Sequence, residues 1–145
     1  NDSECYGLSF TNAHDLQQSR DSSLNCSIKK SLKERMDVSR RFVLVVGDST
    51  DSVTSGSCRY CWRYSGATHR CSAGYSVDMR SYIQYECDKA VEAGIPIVVL
   101  YNSTQTRRQK CPEAVRYSGT YRAMKHWVSG SLKWDYKAVK AALYS

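Results

Sequence analysis

Two short apolar runs constrain the fold of this chain more than any other feature. Phe42-Val43-Leu44-Val45-Val46 and Ile95-Pro96-Ile97-Val98-Val99-Leu100-Tyr101 carry no charge and are rich in β-branched residues. Runs of this kind, without polar alternation, mark strands buried on both faces, as in a parallel sheet. Pro96 is tolerated because it stands near a strand's start. Parallel strands need a long crossover, and a helical pattern lies between these two. From about Arg80 to Ala93, the residues Tyr82, Ile83, Cys87, Ala90 and Val91 form an apolar stripe, and Gly94 stands at the C′ position.

The flanking segments extend the alternation. Tyr6–Phe10 reads as a short strand. Leu24, Ile28, Leu32 and Met36 step by four along a helix placed at about Ser23 to Val38. Asp21-Ser22-Ser23 offers its N-caps, and Lys29, Lys30, Lys33 and Glu34 take the wet side. Asp51 to Asp78 is a long polar insert with no regular period. Cys111 to Gly130 reads as irregular, and Asp135 caps a short last helix carrying Val139, Ala142 and Leu143. The sum is one α/β domain over residues 1–145, a parallel sheet with flanking helices and a cysteine-rich insert at about 51–78. The longest apolar runs fall far short of a membrane span.

Ligands in open parallel sheets bind beyond the carboxyl ends of the strands. Three polar clusters fall there: His14 and Asp15, then Asp48, Ser49 and Thr50, then Asn102 and Ser103. Exposed loops are polar in any case. Glu86 lies on or beside the apolar stripe of its helix. A carboxylate there either faces a cleft or partner, or reaches past the border to water. Desolvation would raise its pKa and suit it to acid–base or cation-stabilising work.

Seven cysteines, an odd number with three clustered in the insert, fit reduced thiols in a cytoplasmic setting. Cys58, Cys61, His69 and Cys71 supply four ligands for a structural zinc, with Cys87 or Cys111 as an alternative to His69. Their C-x2-C-x7-H-x-C spacing is tighter at its second pair than a usual finger. Arg59, Tyr60, Trp62, Arg63 and Tyr64 interleave base and aromatic, a pattern suited to single-stranded nucleic acid. The formal net charge of +7 favours anionic partners or simply aids solubility. No G-x-G-x-x-G, Walker loop, H-E-x-x-H or G-x-S-x-G is present, which removes the main support for those enzyme classes.

Asn12–Asp15, Ser19–Ser23, Ser27–Arg35 and Val43–Thr50, followed by Arg80–Ala90 and Gly94–Val99, resemble the TIR-like family found with the Thoeris antiphage defence system. The likeness covers roughly residues 5 to 50 and 78 to 103. It implies a flavodoxin-like sheet and cleavage of NAD at the nicotinamide–ribose bond, yielding an ADP-ribose-derived signal for a downstream effector. It implies Glu86 as the catalytic residue, holding ribose hydroxyls and stabilising an oxocarbenium-like centre. His14, Asp15 and Arg20, with Asp48 and Tyr82, are then substrate-binding candidates, and homo-oligomerisation is expected. Nothing in this chain matches the additional strand and helix with which family members open. The alternatives are a non-catalytic TIR-like interaction module and, ranked last, a nucleic-acid binder acting through the insert.

Overall fold

The structure is a computed structural model that describes residues 24–145. The strand read at Tyr6–Phe10 and the caps read at Asp21-Ser22-Ser23 lie outside the described residues. Helix α1 spans Asn25–Asp37, with Leu24 as an N-cap that makes no side-chain cap bond. Strand β1 is Phe42–Val46, α2 is Tyr82–Glu92 and β4 is Ile97–Tyr101. The intervening insert holds two 3-10 turns and a small hairpin, β2 (Tyr64–Ser65) with β3 (Arg70–Cys71). After β4 come β5 (Thr120–Ala123), an antiparallel ribbon of β6 (Lys125–Val128) and β7 (Ser131–Trp134), and α3 (Tyr136–Tyr144).

The main sheet runs β1-β4-β5, all parallel, with Phe42 opposite Ile97 and Val98 opposite Thr120. Helices cover both of its faces. Met36 of α1 and Cys87 and Ala90 of α2 pack on Leu44, Val46, Val99 and Tyr101. On the other face Ala142 of α3 packs with Val98 and Leu100. This is the α/β arrangement expected, and it is consistent with a flavodoxin-like one.

Three details correct the sequence reading. β4 is buried along its whole length, but β1 is buried on one face only: Val43 and Val45 are 41% and 52% exposed. The helix on the second face packs chiefly on β4 and β5. The segment read as irregular contains β5 and the whole of β6. Thr120-Tyr121-Arg122-Ala123 escapes notice because it is short, partly charged and only half-buried. The α2 stripe also differs, since Tyr85 is buried and Val91 is exposed.

The insert is anchored on α2. The Tyr82 amide donates to Ser55 O at 2.8 Å, and the Tyr82 ring lies on Gly56. Gly56 has φ +94°, and a Cβ there would come within 2.5 Å of the ring. Gly74 has φ +79° with open space around it. Gly56→Ala is therefore expected to destabilise the protein by about 2–4 kcal/mol, clash and left-handed strain together. Gly74→Ala should cost only the strain, about 1–2 kcal/mol. Urea melts of the two variants check the difference, and equal losses would mean that the ring contact does not anchor the insert.

Candidate functional site

The start of α2 is fixed by a reciprocal cap. Ser81 Oγ accepts from the Gln84 amide at 3.2 Å, and Gln84 Oε1 accepts from the Ser81 amide at 2.9 Å. The helix ends near Gly94, just before Pro96 O accepts the Phe42 amide at the amino edge of the sheet. It therefore runs antiparallel to β1 and β4 and begins at their carboxyl edge.

Glu86 stands one turn into that helix. At about 100° per residue, Ile83, Cys87 and Ala90 share one direction and Tyr82 and Tyr85 another. The first group packs on the sheet and the second packs against Ile28 and Leu32 of α1. Glu86 points between them, into the wedge that α1, α2 and the sheet enclose. Its side chain is half-buried. Desolvation by this surrounding structure pushes its pKa up to about 7. No hydrogen bond or ion pair joins it to any described residue. Half-buried and desolvated, Glu86 does not stand on the open face of the helix.

The other expected residues are placed differently. His14, Asp15 and Arg20 lie outside the described residues. Asp48 stands at the carboxyl end of β1, with its side chain 97% exposed and 2.5 Å from Lys110 Nζ. That pair lowers the Asp48 pKa and bridges the turns after β1 and β4. Tyr82 is buried and donates from Oη to Asn25 Oδ1 at 3.0 Å. Burial pushes its phenol up to about 12, the nearby Cys61, Cys26 and Cys58 adding to the shift. In this arrangement it joins α1, α2 and the insert. Asn102 and Ser103 follow β4 at the same edge as Asp48, and the Asn102 amide donates to Val46 O at 2.9 Å.

The zinc set does not assemble. Cys58 is buried and its Sγ accepts the Asp78 amide at 3.3 Å. His69, at φ 53°, turns Nδ1 onto Tyr64 Oη at 3.1 Å. Cys61 and Cys71 are partly exposed, and the alternatives Cys87 and Cys111 are sealed in the core. Among the described residues no three His, Cys, Asp or Glu side chains are grouped to hold a metal. Cys58 and His69 are each engaged by another group, and the four side chains do not converge.

Lys29, placed by the sequence on the wet side, is instead 3% exposed. Its Nζ donates to Arg80 O at 2.6 Å and Asp78 O at 3.2 Å, with Asp78 Oδ1 at 3.4 Å. Burial lowers its pKa, and Asp78 opposes that shift. Arg80 joins Asp78 at 2.9 Å and Asp88 at 2.7 Å, and lies over the Tyr85 ring. These bonds raise its pKa. The cluster clamps the end of the insert to the start of α2, and so sets where Glu86 begins its turn. A wheel gives the missed signal: Lys29 lies only about 20° beyond Met36, at the border of the stripe.

No protein-family model matches the chain, and no curated protein is significantly similar to it. Among the described residues no helix is long and apolar enough to cross a membrane.

The raised pKa of Glu86 has a consequence for stability. Its protonated form is favoured by folding, so its contribution is fully present below pH about 4.5 and is lost as pH rises through about 7. Glu86→Gln, which cannot ionise, should stabilise the protein at pH 8 by up to about 3 kcal/mol and by less than about 1 kcal/mol at pH 5. Denaturant titrations at the two pH values measure this, and a gain that does not grow with pH would place Glu86 in a water-like setting.

Proposed function

We propose that this protein is a TIR-like enzyme that cleaves the nicotinamide–ribose bond of NAD, with Glu86 as the catalytic carboxylate. One observation carries the reading. An inward-facing carboxylate with no described partner stands at the carboxyl edge of a parallel sheet, where such folds bind ligands. The family likeness of residues 78 to 103 supports the same assignment.

The chemistry suits a single carboxylate in a desolvated wedge. The C–N bond breaks with both electrons leaving on nicotinamide, which departs neutral. Positive charge develops at the ribosyl carbon and ring oxygen. An ionised Glu86 stabilises that charge and accepts hydrogen bonds from the ribose hydroxyls. Water, or a nucleophile within ADP-ribose itself, then attacks the cationic carbon and loses a proton to solvent. The turns after β1 and β4 form the rim, with the Asp48–Lys110 pair between them. His14, Asp15 and Arg20 remain the proposed substrate contacts from the chain before α1. In this proposal NAD is substrate rather than resident cofactor, and the product serves as a diffusible signal in antiviral defence.

Assay of nicotinamide release by the assembled protein tests the reading. Glu86→Gln should lower kcat by at least about 10²-fold while leaving the fold intact. Because the carboxylate must be ionised, the wild-type rate should rise with pH through an apparent pKa near 7. Wild-type turnover that is undiminished in Glu86→Gln would remove the assignment. Self-association or partner binding with no turnover under any activation would favour the interaction-module alternative.

A further inference from the structure

The ribbon of β6 and β7 leaves the carboxyl edge of the sheet directly after β5, where the Lys125 amide donates to Ser103 O at 3.1 Å. Its two-residue loop, Ser129-Gly130, has φ of 49° and 77°, the left-handed pair that suits a tight hairpin. An isolated two-stranded ribbon is marginal in water. This one also exposes an apolar face. The register sets Trp127 opposite Leu132 and Lys125 opposite Trp134, so these four side chains share one face. Trp127 is 66% exposed, Leu132 47% and Trp134 45%. Lys125 rests its ammonium 4.7 Å from the centre of the Trp134 ring. Around this stripe the chain is basic: residues 120–145 hold five Lys or Arg against one acid, Asp135. Asp135 is engaged by His126 at 3.2 Å and by the start of α3.

A surface of complementary character lies elsewhere on the molecule. On the flank of α2 away from Glu86, a groove of about 390 Å³ separates the helix from the segment after Cys111. Met79, Pro112 and Ala114 give it an apolar lining, while Gln84, Asp88 and Glu113 add polar groups. Arg80 is paired with Asp78 and Asp88, which leaves Glu113 as the one charged lining residue with no ion pair to a described residue. Glu113 is exposed there and Met79 is 46% exposed.

We propose that the Trp127–Leu132–Trp134 ribbon of one copy seats in this groove on a second copy. The groove has room for an indole and a neighbouring aliphatic side chain. Its methionine suits aromatic contact, and Glu113 meets Lys125. Because the two surfaces differ, the contact is heterologous and repeats into a ring or filament. The ribbon adjoins the turn after β4 and the groove shares α2 with Glu86, but Glu86→Gln alters neither surface, so its association should match the wild type whatever its turnover. A membrane or a single strand of nucleic acid would engage the same basic, aromatic ribbon and leave the groove out.

Sedimentation velocity on the whole chain, over roughly 5–300 µM, reads the outcome. The average mass should climb above the 16.4 kDa monomer with concentration. Trp127→Ala, Lys125→Glu and Glu113→Lys should each weaken association by at least about tenfold. The double exchange Lys125→Glu with Glu113→Lys should recover most of it. A mixture of Trp127→Ala with Glu113→Lys, each keeping one sound surface, should stop at dimers. A wild type that stays monomeric throughout overturns the proposal. So does association that the ribbon changes weaken but Glu113→Lys and the exchange leave untouched, which would assign the ribbon to another partner.

Discussion

The parallel pairing of β1 with β4 sets the position of everything else. Two strands that run the same way cannot be joined by a tight turn, so the chain must cross over and return. It does so through the insert and α2, which makes α2 start where the strands end. Any side chain in the first turns of α2 is thereby delivered to the carboxyl edge. Glu86 is one such side chain, and its direction is fixed by two apolar commitments of the same helix. Cys87 and Ala90 must reach the sheet, and Tyr82 and Tyr85 must reach α1. The residue between those directions has nowhere to go but inward.

A crossover that contains a long insert needs its ends held. Lys29 and Arg80 do this with a small set of carbonyls and carboxylates around Asp78 and Asp88. Removing one partner from such a cluster leaves a buried charge uncompensated, which is the costly case for ionic groups. The cluster ties the end of this long cysteine-bearing segment to α1 and to the start of α2. Gly56 beneath the Tyr82 ring serves the same end by permitting close approach, and no metal is required for it.

Much of this was legible in the sequence, for identifiable reasons. β1, β4, α2 and the last helix each carry a strong period or cap, and each is found within about two residues of its expected ends. Glu86 was legible as a residue on the border of a stripe. What escaped notice depends on long-range contact. β5 has no apolar run because the sheet edge leaves its residues half-exposed. Val43 and Val45 look buried in sequence, but α3 packs chiefly on β4 and β5 on their side. Lys29 breaks the rule that lysine marks a wet face, because its acceptors arrive from residues about fifty positions away in the chain. The four residues read as zinc ligands are not grouped in the structure. Cysteine and histidine types were present, but Cys58 is engaged by the Asp78 amide and His69 by Tyr64, contacts that spacing does not reveal.

The contrast between Lys29 and Glu86 bears most directly on function. Both are charged residues in the same interhelical seam, and both are desolvated. The ammonium of Lys29 is met by two carbonyls and a carboxylate, as a structural charge must be. The carboxylate of Glu86 has no such company among the described residues, and its raised pKa reflects that alone. A group left in this condition lowers stability at neutral pH without any return in packing. Desolvation that disfavours its charge in the free protein also strengthens its attraction for a cation brought beside it. On the proposed reading, that cation is the ribosyl centre forming as nicotinamide leaves, so the same unsatisfied carboxylate weakens the fold and favours the transition state.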